Sequence, residues 1–167
     1  MKKVSKITSL AGIAVVAGFL AFIYFGSDKP SNMKNEILGK PAAISTYFNI
    51  KYPNEYKVFS ISPEPSQELT TIENSEGKGF QIFSMPFDEE GPMTEERIRK
   101  DLPDAQINDS GLAELDGVKS LVFYGFDEDL GETFEVWSVY NGRLYQIMGK
   151  KVDEETIVKT LNTWQWK

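Results

Sequence analysis

Neither cysteine nor histidine occurs among the 167 residues of this chain. Without histidine there is no Ser-His-Asp triad, no Cys-His pair, no imidazole general base and no His-ligated zinc site. Most common hydrolase mechanisms fall with it. Without cysteine no disulfide can staple the fold and no acylated lipoprotein N-terminus can form, so stability has to come from burial. Eleven phenylalanines, seven tyrosines and three tryptophans supply the material for that. No serine sits in a G-x-S-x-G turn that would mark it as a nucleophile. Positive charge is also scarce: from residue 31 onward the chain carries 24 acidic side chains against 14 basic ones, a net charge of -10. A domain of that sign is repelled by phosphate backbones and by anionic lipid head groups, which argues against nucleic acid as a partner.

Charge of either sign is missing altogether from Ile7 to Phe25, a run of nineteen residues preceded by Lys2, Lys3 and Lys6. As a helix such a run measures about 28 Å, close to the roughly 30 Å hydrocarbon core of a bilayer. The run is longer than the apolar stretch of a cleaved signal. A cut after Gly26 would place Tyr24, and a cut after Ala21 would place Phe19, where small residues are required. Residues 1-26 are therefore expected to be a retained anchor, or uncleaved signal, spanning the membrane through residues 7-25. The lysines before it place the N-terminus in the cytoplasm and the rest of the chain outside the cell membrane. Ala14 with Gly18 and Ala17 with Ala21 put small residues four apart in the run, a spacing that single-pass anchors often carry by composition alone. Residues 27-41, rich in turn formers, read as a tether, and residues 42-167 as one domain of ordinary size.

Period-two alternation at Phe48, Ile50 and Tyr52 marks a half-buried strand, followed by strands near 57-62, 69-73 and 80-87 in a meander. Thr94 is placed to cap a two-turn helix, with Met93 and Ile98 as its hydrophobic staple and Glu95-Arg99 and Glu96-Lys100 as i, i+4 pairs. Asp116-Gly117 and Asn141-Gly142 are two-residue turn signals that each join two strands. The second sets a register pairing Tyr140 with Arg143, Ser138 with Tyr145 and Val136 with Ile147, with Trp137 opposite Gln146 and Glu135 opposite Met148 on the other face. Both faces carry large apolar groups, so both are expected to be partly covered. A last helix is expected to be capped by Asp153 and stapled by Val152 and Ile157, with Ile157, Val158 and Leu161 as its buried stripe, before a short aromatic strand at 162-166. This order predicts an α+β fold, a mostly antiparallel sheet flanked by helices.

The segment Tyr47-Phe48-Asn49-Ile50-Lys51-Tyr52-Pro53, the Leu115-Asp116-Gly117-Val118 turn, the Asn141-Gly142-Arg143-Leu144-Tyr145-Gln146-Ile147 hairpin and the closing Trp164-Gln165-Trp166 together resemble the PsbP-like family. That is the fold of the extrinsic oxygen-evolving-complex protein, and the resemblance covers about residues 43-167. It implies a PsbP-like sandwich and a non-catalytic binding or assembly domain that recognises a protein partner. It carries over no functional residue, because the matching features are packing and turn positions. Photosynthetic members are free in the lumen or lipid-anchored, whereas this chain has no cysteine to acylate.

Two readings of the residues compete with that function. Asp127, Asp129 and Glu132 crowd an acidic loop that could bind calcium, although position six from Asp127 is Glu132 and position twelve is Ser138, so the EF-hand pattern fails and a solvated loop fits better. Asp88-Glu89-Glu90 is a second acidic stretch that could converge with the first, or simply serve the dipole of the following helix. A carboxylate-based hydrolase would need two acidic groups facing each other across a cleft. Among the aromatic residues, Trp166, next to the chain end, and Tyr52 are the candidates for partner contact, while most of the set is expected to fill the core. No cofactor other than calcium has any support in the sequence.

Overall fold

The computed structural model describes residues 45-167. The expected anchor at 7-25, its small-residue pairs, the tether at 27-41 and the first residues of the domain lie outside the described residues. Among the described residues no helix is long and apolar enough to cross a membrane.

Seven antiparallel strands form the central sheet: β2 (Lys57–Ile61), β3 (Glu68–Glu73), β4 (Gly79–Pro86), β5 (Asn108–Leu115), β6 (Val118–Asp127), β7 (Gly131–Tyr140) and β8 (Arg143–Lys150). The order β2-β3-β4-β8-β7-β6-β5 makes the sheet two meanders joined side by side through β4 and β8. A separate two-stranded ribbon pairs β1 (Phe48–Asn49) with β9 (Gln165–Trp166) and ties the start of the domain to its end. Helix α1 (Glu95–Asp101) lies in the β4-β5 connection, and α2 (Glu154–Leu161) follows β8.

Turn chemistry explains the register. Asn141 and Gly142 both adopt positive φ, 48° and 70°, the pair of left-handed conformations that a tight hairpin demands, and Asp116-Gly117 repeats it at 48° and 79°. With the turn so placed, Tyr140 pairs with Arg143, Trp137 with Gln146 and Glu135 with Met148, as expected from the sequence.

Because side chains alternate across each strand, the sheet sorts its residues onto two faces. One face gathers Ile72, Phe80, Ile82, Val136, Tyr145 and Ile147 in the main core, closed by Ile157 and Leu161 of α2 and by Phe48 and Trp164 from the terminal ribbon. Phe48 stacks on Trp164 at 4.1 Å between centroids. The opposite face holds a smaller core, where Met93 and Ile98 pack with Leu121, Phe123, Trp137 and Leu144. Thr94 caps α1, its Oγ1 accepting from the Arg97 N–H at 3.3 Å, and Met93 and Ile98 are both buried as a staple requires.

Four local expectations are corrected. Asp153 makes no side-chain cap for α2; its carboxylate accepts from the Gly79 N–H at 3.3 Å instead. The preceding residues 151-153 form a single 3₁₀ turn, which swings Val152 out to 86% exposure, so no staple forms there. Val158 is 38% exposed and Thr160 takes its expected place beneath α2, because the helix buries its 157-160-161 side. In α1 the Glu95-Arg99 pair forms at 3.8 Å, while Lys100 pairs with Glu89 rather than Glu96.

Candidate functional site

Among the described residues, helix α1 and the residues that follow it roof the β6-β7 side of the second face, over Leu121, Phe123 and Trp137. On the β2-β3-β4 side Leu69 and Phe83 are buried too, at 6% and 5% exposure, and Phe59 and Ile61 of β2 are the exposed apolar side chains. Between the two sides runs a groove of about 600 Å³, floored by Phe83, Gln81, Gln146, Met148, Glu135 and Trp137. These come from three adjacent strands brought together by the β4-β8 and β7-β8 pairings: Gln81 lies opposite Met148, Phe83 opposite Gln146, and Glu135 and Trp137 opposite Met148 and Gln146. The wall is Ile98, Leu102 and the 103-106 turn. That turn exists because Pro103 ends α1; Leu102 leaves helical geometry at φ -127°, ψ 74°.

Glu135 is the acidic group of the floor. Its two carboxylate oxygens accept from Thr133 Oγ1 at 2.8 Å and from Trp137 Nε1 at 2.9 Å. Gly125 on the neighbouring strand makes the room: a Cβ there would collide with Glu135 Oε1 and lie 2.8 Å from Thr133 Oγ1. Burial raises the Glu135 pKa above the ordinary carboxylate range, partly offset by the two hydrogen bonds and reinforced by the negative charge of Asp127. Two other floor atoms, Gln81 Oε1 and Gln146 Nε2, are buried and make no hydrogen bond within the protein. An orphaned buried polar atom costs about 1-3 kcal/mol. Around the rim stand Asp101, Asp104, Asp127 and Glu128, and none of the described residues that line the groove is lysine or arginine.

The residues singled out from sequence sit elsewhere or at the margin. Asp127 reaches the rim, but its Oδ1 is engaged by the Asp129 and Leu130 N–H groups at 2.9 Å each, a turn closed on itself. Glu132 pairs with Lys151 at 3.5 Å. Among the described residues no group of three or more acidic side chains is placed to hold a metal ion. Asp88, Glu89 and Glu90 border a different depression beside Asn141-Gly142, so the two acidic stretches do not share a site. Trp166 stacks on Tyr140 at 4.5 Å and donates from Nε1 to the Leu115 carbonyl at 2.9 Å, while half-buried Tyr52 packs on the main core. Sequence reasoning passed over Gln81, Glu135 and Gln146. The available signal was a polar residue at three strand positions whose face is otherwise apolar.

No protein-family model matches the chain, and no curated protein does. Among solved structures the chain is similar to CyanoP, the cyanobacterial PsbP of Synechocystis, with a TM-score of 0.53 and 11% identity over 83% of this chain and 98% of that one. It is also similar to a protein from Bacteroides thetaiotaomicron, with a TM-score of 0.50 and 15% identity over 78% of this chain. The chain spans 49% of that protein, about half its length. What these likenesses define is the fold: residues 45-167 form a PsbP-like α+β domain, a mostly antiparallel sheet with two helices.

Proposed function

We propose that this protein is a non-catalytic binding or assembly module, held to the cell membrane by residues 7-25 with its PsbP-like domain outside, and that it recognises a protein partner. The observation that carries the reading is the half-roofed sheet face, where apolar side chains and unsatisfied polar atoms lie side by side in an open groove. Such a surface gains from being covered. The missing histidine and cysteine chemistry supports binding over catalysis. The anchor rests on the length and flanks of the uncharged run.

Glu135 favours one other reading, a carboxylate-based hydrolase, since a raised pKa beside a second carboxylate suits a proton donor. Against it, both Glu135 oxygens already accept bonds from Thr133 and Trp137. A general acid has to direct its proton at the substrate. Affinity copurification from crosslinked cells, comparing the full chain with a version lacking residues 1-26, tests the leading reading. A protein recovered with both versions supports recognition by the folded domain; recovery of nothing with the full chain counts against it.

A further inference from the structure

The groove does not stop at β4. Phe59 and Ile61 on β2 pair with Thr71 and Leu69 on β3, and Leu69 pairs with Phe83 on β4, so all of them share the groove's face. Phe59 is 51% and Ile61 60% exposed. Leu69 and Phe83 are only 6% and 5% exposed, so the apolar strip is open at the β2 edge and continues past them as the largely buried floor of the groove, to Glu135 on β7. Crossing β2, β3, β4, β8 and β7 covers four interstrand spacings, about 19 Å, which an extended chain of about six residues spans. A small molecule filling the 600 Å³ groove would leave the β2 end of the strip bare.

Charge sets what the far end takes. Five carboxylates line the groove, Glu135 on the floor with Asp101, Asp104, Asp127 and Glu128 around it, and among the described residues no basic side chain lines it with them. The ion pairs nearby leave this set alone: Arg97 and Lys100 go to Glu89, Arg99 to Glu95 and Lys151 to Glu132. A cation brought by a ligand would meet Glu135 in a half-enclosed setting, where a charge-assisted hydrogen bond is stronger than in water. Small rotations of the Gln81 and Gln146 amides would offer an acceptor and a donor to a main chain lying across them.

We infer that this face is the docking site for an extended segment of a partner protein, with an apolar stretch covering Phe59 and Ile61 at the β2 edge and an arginine or lysine placed against Glu135. The inference rests on the reading of the domain as a partner-binding module and specifies the chemistry of that partner.

The probe is a capped six-residue peptide, five leucine or serine residues followed by one arginine, against the same peptide with citrulline, the neutral isostere of arginine. Both are titrated calorimetrically into the full chain in a neutral detergent. The arginine peptide should bind about tenfold or more tightly than the citrulline one. Two substitutions should abolish that preference: Glu135→Gln, which removes the charge, and Gly125→Ala, which keeps the charge and displaces the carboxylate. Val158→Ser, on the exposed side of α2 across the sheet, should leave it intact. A melting curve within a few degrees of the parent qualifies each variant as folded. Equal affinity for the two peptides, binding of neither, or a preference that survives in Glu135→Gln would overturn the inference. Agmatine alone binding as tightly as the whole arginine peptide would overturn the extended-segment part and leave a small-cation site. Capture of a partner in the crosslinking experiment without any preference for arginine refutes only the groove chemistry. An arginine preference without a captured partner refutes only the adaptor role.

Discussion

Replacing Glu135 by glutamine should change how stability depends on pH. In the folded protein burial holds the Glu135 carboxyl above its ordinary pKa, while in the unfolded chain it titrates normally. Between the two values the native state keeps a proton that the unfolded state has released, so stability falls as pH rises through that interval and levels off above the folded pKa. One group contributes a slope of at most about 1.4 kcal/mol per pH unit. Glutamine has no proton to lose. Its carbonyl oxygen can still accept from Trp137 Nε1, and its amide can donate to Thr133 Oγ1, whose hydroxyl turns to accept. Urea denaturation of both proteins at half-unit steps from pH 4 to 8 gives the difference curve, in which other shifted groups such as Asp153 cancel. The Glu135→Gln protein should gain on the parent as pH rises from 4.5, with an unchanged m-value. Parallel curves across the whole range would refute the claim that Glu135 is desolvated in the groove floor.

Other outcomes follow from the packing. Gly149→Ala should cost about 1-3 kcal/mol, seen as a lower melting temperature, because the new Cβ would lie 2.8 Å from Ile157 Cδ1 and 2.9 Å from the Gly79 carbonyl, wedging α2 off the sheet. Thr94→Ala should cost about 1 kcal/mol by removing the acceptor for the Arg97 N–H, and should loosen the groove wall that α1 carries, read as faster amide exchange at residues 97-105. Calcium at millimolar concentration should leave the melting temperature unchanged, since Asp127 is engaged by its own turn and Glu132 by Lys151; a rise of several degrees would restore the cation reading.

The fold was legible where local chemistry determines it. An Asn-Gly turn with both residues at positive φ admits one tight register, so every pairing expected across β7 and β8 is present. Thr94, Met93 and Ile98 declared the start of α1 because cap and staple are contacts within five residues. The start of α2 misled for the converse reason. Asp153 has the right spacing for a cap, yet a contact 74 residues away, the Gly79 N–H, claims its carboxylate. The groove was illegible on the same grounds. The β7-β8 register put Glu135 beside Met148 and Trp137 beside Gln146, but only the long-range β4-β8 pairing brings Gln81 and Phe83 to that floor. Trp166 was a contact candidate for its nearness to the chain end, and the terminal ribbon that packs it against Tyr140 and Tyr145 is likewise a non-local contact.

The central claim is that the half-roofed face is where the partner binds, and in-cell photocrosslinking tests it most directly. A photoreactive residue is placed at Met148 in the groove floor or at Val158 on exposed α2, across the sheet, in the full chain. A discrete protein adduct is expected from position 148, weakened by Glu135→Gln, and none from position 158. An adduct from position 158 alone, or none from either position, would contradict it.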